Sequence, residues 1–372
     1  MKGLSLFANV GIAETFLDKL GINIVLANEL LENRCKFYKH CHPDTRVICG
    51  NITDLDTYNM VISLARKENI EFIIATPPCQ GMSLAGTKDP LDPRNSLVKY
   101  AIDAILDIKP KYALLENVVQ QLKTPIEYEN ETLLIPEYIR RRLENDYYIN
   151  KNQIINSMDY GVPQNRQRAI FLFSRKDTNI KWEFPKKHEK VVTLKEAIGD
   201  LPSLDPLIKE ENMRHIFPEY ELKRQKGLLV SKYHYSKMAP WRQVEAMMHT
   251  ATGKSAFEND FYYPKNIDGK KIKGGAYTYM RMDWNKPAPT VTMYNGSISS
   301  FTNVHPGRRL SDGTYSDARV LSLYELFIVT SLPKDWNPPE WASENFIRQV
   351  IGEGIPPLLI KEIVKTIMEE VK

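Results

Sequence analysis

Phe72, Ile73, Ile74, Ala75, Thr76, Pro77, Pro78, Cys79, Gln80, Gly81, Met82 and Ser83 form the stretch on which the fold turns. The apolar run Phe72–Ala75 reads as a buried strand. Two prolines in succession neither continue a sheet ladder nor enter a helix without strain. The chain must therefore turn at the strand's end and hold the next side chain in a fixed direction. In an open α/β sheet, ligands and chemistry collect at the carboxyl ends of strands, so Cys79 stands where a nucleophile would be wanted. A cysteine taken alone is more often a buried, inert thiol, and its companions must decide between the two readings.

Outward from that strand, further strand-like runs lie near residues 3–8, 22–27, 46–49, 112–115 and 169–173. They alternate with helical stretches at 12–20, 30–41, 57–68, 95–108 and 134–145. This alternation predicts an α/β protein with a doubly wound, mostly parallel sheet. Leu97, Tyr100, Ala101, Ala104, Ile105 and Ile108 recur at helical spacing and are candidate core. A last helix is predicted from Pro356 to Val371, packing back on the sheet, and Thr87–Arg94 reads as a loop.

The run Tyr112–Leu115 ends in Glu116, Asn117 and Val118. A carboxyl at such a strand end is partly desolvated, which raises its pKa and makes Glu116 a candidate acid. Tyr160, Gly161, Val162, Pro163, Gln164, Asn165, Arg166, Gln167 and Arg168 precede the run Ala169–Phe173. In an extended segment Arg166 and Arg168 face the same way, as a functional pair or as a solvated edge.

Cys79, Glu116 and the Arg166/Arg168 pair together resemble the DNA (cytosine-5) methyltransferase family in order, spacing and local sequence, over almost the whole chain. Leu4–Gly11 looks like the family's first motif, a strand running into a Gly-bearing loop that holds S-adenosylmethionine. Glu29, closing the run Ile22–Ala27, matches the acidic residue used on the cofactor's ribose hydroxyls. Pro287–Thr290 through His305, Pro306, Arg308 and Leu323–Pro333 resemble the ninth motif, and Gln349–Pro357 resemble the tenth.

The resemblance implies a class I S-adenosylmethionine-dependent, Rossmann-like methyltransferase acting on double-stranded DNA. It implies that the Cys79 thiolate adds to carbon 6 of cytosine, that Glu116 meets N3, and that Arg168 meets O2 while Arg166 braces the site. The target base must be flipped out of the duplex. Cofactor contacts are implied for Phe7, Gly11, Glu29, Asn51, Ile52, Pro78, Leu97 and Glu353, and substrate contacts for Gln80, Ser83, Asn117 and Gln164. A separately acting restriction endonuclease is an expected companion. A tRNA cytosine methyltransferase of the same fold is the alternative enzyme. A non-catalytic nucleic-acid binder is a third reading, and a thiol hydrolase would need a histidine beside Cys79 that is not identifiable.

Several positions depart from the family pattern. Ser5 stands where aspartate is common, and Asn9 and Ile12 where glycines are common, so Gly11 alone is expected to admit a close backbone approach. Asn51 replaces a frequent aspartate, with an amide oxygen still able to accept a hydrogen bond from the adenine amine. Thr76 stands where a glycine often precedes the turn, and Glu353 replaces a frequent asparagine.

A chain of 372 residues with 42% apolar content fits a two-lobed globular enzyme. No apolar run reaches the length of a membrane span, and Met1–Leu4 enters a strand with no signal peptide, so a cytoplasmic monomer is expected. The cluster Cys35, His40, Cys41, His42, Cys49 lacks paired zinc-ligand spacing, and no metal is expected. Residues 175–309 hold 24 Lys or Arg against 15 Asp or Glu, within a net charge of +4 for the chain. This basic, aromatic-dotted interval, including Lys270, Lys271 and Lys273, suits phosphate contact. The expected division is 1–178 for catalysis and cofactor, 179–335 for a smaller, mainly β and loop target-recognition domain, and 336–372 returning to the first.

Overall fold

A computed structural model describes residues 1–78, 96–275 and 277–370. Its centre is a sheet of β1 (Lys2–Leu6), β2 (Asn23–Glu29), β3 (Arg46–Cys49), β4 (Phe72–Ala75), β5 (Tyr112–Asn117), β8 (Tyr147–Ile149), β9 (Ile154–Asn156) and β10 (Gln167–Arg175). The hairpin β6 (Pro125–Tyr128) and β7 (Glu131–Leu134) stands apart. The sheet order is β3-β2-β1-β4-β5-β10-β8, with β9 beside β10. From β3 to β5 every pairing is parallel, and β10 runs antiparallel to β5, β8 and β9. The winding direction reverses at the β1/β4 junction, so the crevice beyond the carboxyl ends of these two strands is where a ligand is expected.

Side chains alternate faces along each strand. Ile73, Ala75, Ala113, Leu115, Phe171 and Phe173 point to one face, covered by α2 (Leu55–Glu68), α3 (Leu97–Ile108) and α4 (Ile135–Leu143). Phe72, Ile74, Tyr112, Leu114, Ile170 and Leu172 point to the other, where Leu359, Ile360, Ile363 and Val364 of α10 (Pro357–Glu370) and Trp182 close over them. The predicted C-terminal helix thus seals one whole face. α1 (Glu32–Cys41) links β2 to β3, and its Phe37 packs toward α8 (Leu323–Val329) and α9 (Glu344–Glu353).

The helix expected at residues 12–20 is instead a chain of turns ending in the 3₁₀ segment Asp18–Leu20. Gly11 and Gly21, both left-handed, bound it. Hydrogen bonds spanning three residues run from Thr15, Leu17 and Leu20 to the carbonyls of Ile12, Glu14 and Leu17. Glu14 is drawn inward, its Oε1 accepting from the buried Ser5 hydroxyl, so this segment follows a tertiary contact rather than its helical periodicity.

Between 179 and 335 regular β structure is scant, against expectation. Among the described residues it consists of the short pair β11 (Leu207–Ile208) and β12 (Met238–Ala239) plus isolated bridges, alongside α5 (Leu194–Ile198), α6 (Tyr220–Val230), α7 (Trp241–Met248) and α8. Loop backbone must find other partners when sheet ladders are missing. Arg281 supplies them: its fully buried guanidinium donates to the carbonyls of Met247, His305, Tyr315 and Asp317. Arg319, equally buried, is held by Asp317 and Glu325 and donates to the Leu204 and Val320 carbonyls. The basic excess counted in this interval therefore includes Arg281, which is a structural strut and faces no solvent.

Candidate active site

Cys79, Gln80 and Ser83 lie outside the described residues. The structure begins at their doorstep, with Thr76, Pro77 and Pro78. Thr76 Oγ1 donates to the Phe7 carbonyl at 3.0 Å, tying the β4 turn to the loop after β1. Asn117 Nδ2 donates to the Pro77 carbonyl at 3.1 Å, so the residue after Glu116 positions the backbone two residues before Cys79. A glycine at position 76 would lack this tie to Phe7.

Glu116 closes β5, in register with Ile170 of β10. Arg168, two residues earlier on the same face, places Nε 2.9 Å from Glu116 Oε1, and both side chains are almost covered. Burial raises the Glu116 carboxyl above its ordinary range, against the opposing pull of the Arg168 and Arg166 guanidiniums. The result is a carboxyl that takes up a proton more readily than a solvated one, beside a fixed cation.

Arg166 is buried and donates to the carbonyls of Val291 (2.8 Å), Gly352 (3.0 Å) and Glu353 (3.4 Å). It joins two remote segments to the strand that carries Arg168. Gln164, expected among the substrate contacts, is fully buried. Its amide accepts from Val291 N at 3.1 Å and donates to Val329 O at 3.4 Å, clamping these two segments together.

The loop after β1 bends through left-handed conformations at Phe7 (φ 57°), Asn9 (φ 49°) and Gly11 (φ 79°). For the two non-glycines this costs about 1–2 kcal/mol each and persists only when neighbours enforce it. The neighbours are explicit. Asn9 N donates to Glu29 Oε2 at 2.9 Å, and Asn9 Nδ2 donates to Glu353 Oε2 at 3.2 Å. Glu353 is fixed in turn by Arg34 at 2.7 Å and by Gln349 at 3.0 Å.

Gly11 is closely packed. A Cβ there would sit 2.3 Å from His42 Nε2, and that imidazole donates to the Gly11 carbonyl at 2.9 Å. The missing side chain makes room for His42. Asn51 Oδ1 already accepts from Thr53 N at 3.1 Å, with a second lone pair left over. Ile52 lies in the core, Leu97 and Phe7 border the same cluster, and Pro78 is half-buried.

Glu29, at the end of β2, holds its carboxylate between Asn9 N and Leu31 N, the latter at 3.1 Å from Oε1. Asn9 Oδ1 is buried and has no hydrogen-bond partner, an open acceptor suited to an ammonium donor. Beneath the loop, burial pushes the Glu14 carboxyl up to about 7, and its Oε2 is likewise unpartnered.

Comparisons with known proteins agree with this geometry. The profile of the C-5 cytosine-specific DNA methylases matches residues 1–369. The chain is 43% identical to Type II methyltransferase M1.HgaI of Avibacterium volantium over 99% of its length and 98% of that protein's. It is 28% identical to Type II methyltransferase M.DdeI of Desulfomicrobium norvegicum, over 99% and 88%. Among solved structures, a DNA modification methyltransferase encoded in an Escherichia coli prophage superposes with a TM-score of 0.68 at 18% identity, covering 100% of this chain and 99% of that one. At that identity the match speaks for the fold alone.

Proposed function

The chain belongs to the C-5 cytosine-specific DNA methylase family, and from that premise we propose that it methylates carbon 5 of one cytosine within a short DNA sequence through a covalent adduct on Cys79. The observation that carries this reading is the buried Glu116 carboxyl, held against Arg168 at the strand end beside the Pro77–Pro78 turn.

Each residue has a part. The Cys79 thiolate adds to carbon 6 of a flipped-out cytosine, forming the S–C6 bond and driving the ring electrons toward carbon 5. Glu116 delivers a proton to N3 as negative charge develops there. Arg168 donates to O2, and Arg166 braces both from below through its three carbonyl contacts. Asn117 holds the Pro77 backbone so that the thiol arrives at the ring face. After methylation a base takes the proton from carbon 5, the C6–S bond breaks, and the thiolate is restored. S-adenosylmethionine, when bound, supplies the methyl group as an electrophile on its sulfonium. Glu29, Asn9 and Glu353 would hold it, with Phe7, Asn51, Ile52, Pro78 and Leu97 around the adenosine.

Residues 1–178 form the catalytic and cofactor part in this reading, 179–335 read the target, and 336–372 return to the first. The resemblance to Type II modification enzymes supports a role beside a separately acting restriction endonuclease, and the chain is read as a cytoplasmic monomer. Among the described residues no helix is long and apolar enough to cross a membrane. Bisulfite sequencing of plasmid DNA from cells expressing this chain tests the reading. Protection of cytosine in one recurrent sequence is expected, and an unmodified plasmid would overturn it.

A further inference from the structure

We propose that the hairpin Pro264–Ile272 is a finger that grips DNA, with Ile267 as its leading apolar contact and Lys265, Lys270, Lys271 and Lys273 as its phosphate contacts. This rests on the DNA methylation reading above and assigns a specific element to it.

The hairpin is tightly made. Lys265 bridges Lys271, Asn266 N donates to Lys270 O at 2.9 Å, and Gly269 N donates to Asn266 O at 3.1 Å. Asn266 Oδ1 accepts from Asp268 N and Lys270 N, and Gly269 takes φ 77°. This is a type I turn closed by a left-handed glycine, as in three-residue hairpin loops. Asn266, Asp268 and Gly269 each serve the turn. Ile267 does not: it lies at the tip, 86% exposed, where neither turn geometry nor core packing calls for a β-branched apolar side chain.

In the flanking sequence, Phe261 is 79% exposed and Tyr277 is 70% exposed. Lys271 and Lys265 stand over the Tyr263 ring at 4.5 and 5.3 Å, which orders a cation from each arm of the hairpin. Among the described residues none of the four lysines forms an ion pair. The base of the hairpin is anchored: Asn259 Nδ2 donates to the Tyr262 and Ala246 carbonyls and to Thr250 Oγ1, and the returning arm lies so close on Phe257 that a Cβ at Gly274 would be 1.9 Å from the ring. A narrow hairpin with an apolar tip and cationic flanks fits a DNA groove, where the backbone is anionic and base edges and base steps present apolar surface.

The test uses the full-length chain. Ile267→Asn should raise KM for a methylatable plasmid about tenfold, the effect of losing one buried aliphatic side chain. kcat, melting temperature and S-adenosylmethionine affinity should be unchanged. Ile267→Leu should stay within about threefold of wild type, and Leu229→Asn, altering an equally exposed apolar residue on α6, should have no effect. Independently of catalysis, a Lys270/Lys271/Lys273→Ala triple variant should bind a random-sequence 30-base-pair duplex more weakly and with a flatter salt dependence. A triple variant with an unaltered salt slope, an Ile267→Asn enzyme with wild-type KM, or an Ile267→Asn variant changed only in self-association would each overturn the finger. If wild type leaves the plasmid unmodified, the methylation reading falls, while the salt titration still decides the hairpin.

Discussion

Asn9 Nδ2 lies 3.2 Å from Glu353 Oε2, joining the loop after the first strand to the end of α9 across almost the whole sequence. The contact holds Asn9 in a left-handed conformation more natural to glycine. It also places a carboxylate where the family usually carries an amide, and Arg34 balances that charge.

If this bond shapes the methyl-donor pocket, Glu353→Ala should weaken S-adenosylmethionine binding by about tenfold, in line with one lost charge-assisted hydrogen bond. Isothermal titration without DNA measures it. Glu353→Gln keeps an acceptor for Asn9 and should recover most of the affinity. Equal losses in both variants would move the cause to the Arg34 ion pair.

Cys79→Ser should abolish methyl transfer while S-adenosylmethionine still binds, because a hydroxyl at neutral pH is a far weaker nucleophile than a thiolate. DNA bearing 5-fluorocytosine at the target should trap wild type as a denaturant-stable adduct, since fluorine cannot leave as a cation. Activity of the serine variant within tenfold of wild type would defeat the covalent route.

Glu116→Gln removes the proton but keeps the shape beside Arg168. Single-turnover transfer should slow by roughly 100-fold, the range of lost general acid catalysis, with DNA binding retained. Burial raises the Glu116 pKa, so wild-type transfer should decline as pH rises through that raised value and the proton is lost. The glutamine variant should lack this alkaline decline. An unchanged rate would leave Glu116 as a strand cap only.

Glu14 makes stability depend on pH. Its folded pKa, about 7, lies above the ordinary 4.5, so the folded state keeps the proton longer than the unfolded chain. The stabilisation is complete below about 4.5 and is lost as pH rises to about 7, amounting to about 3 kcal/mol at most. Urea unfolding at pH 5 and pH 8 should show this loss in wild type and a smaller one in Glu14→Gln. Parallel pH profiles for the two proteins would refute the assignment.

The strand and helix alternation was legible because each element announces itself locally. Phe72–Ala75 is apolar without interruption, Pro77 and Pro78 end it, and α3 carries its core residues at helical spacing. Residues 12–20 misled because the same periodicity fits a helix and a turn-rich segment. What separates them is the pull of the Ser5 hydroxyl on Glu14, which no local window contains. The short strands β8 and β9 escaped notice for a related reason: they exist by pairing with β10.

By itself, the sequence determined the order of elements, the Pro77–Pro78 end of β4, and the strand ends bearing Glu29 and Glu116. These depend on period, turn chemistry and burial preference within a few residues of each site. Tertiary structure decided which groups meet. It brought Arg168 onto Glu116, sent Arg166 to the carbonyls of Val291 and Gly352, and set His42 against Gly11. It also buried Gln164 and Arg281. Such contacts depend on sheet register and on how distant loops pack. A side chain's residue type says which bonds it can make, but only the packed chain says which partner is within reach.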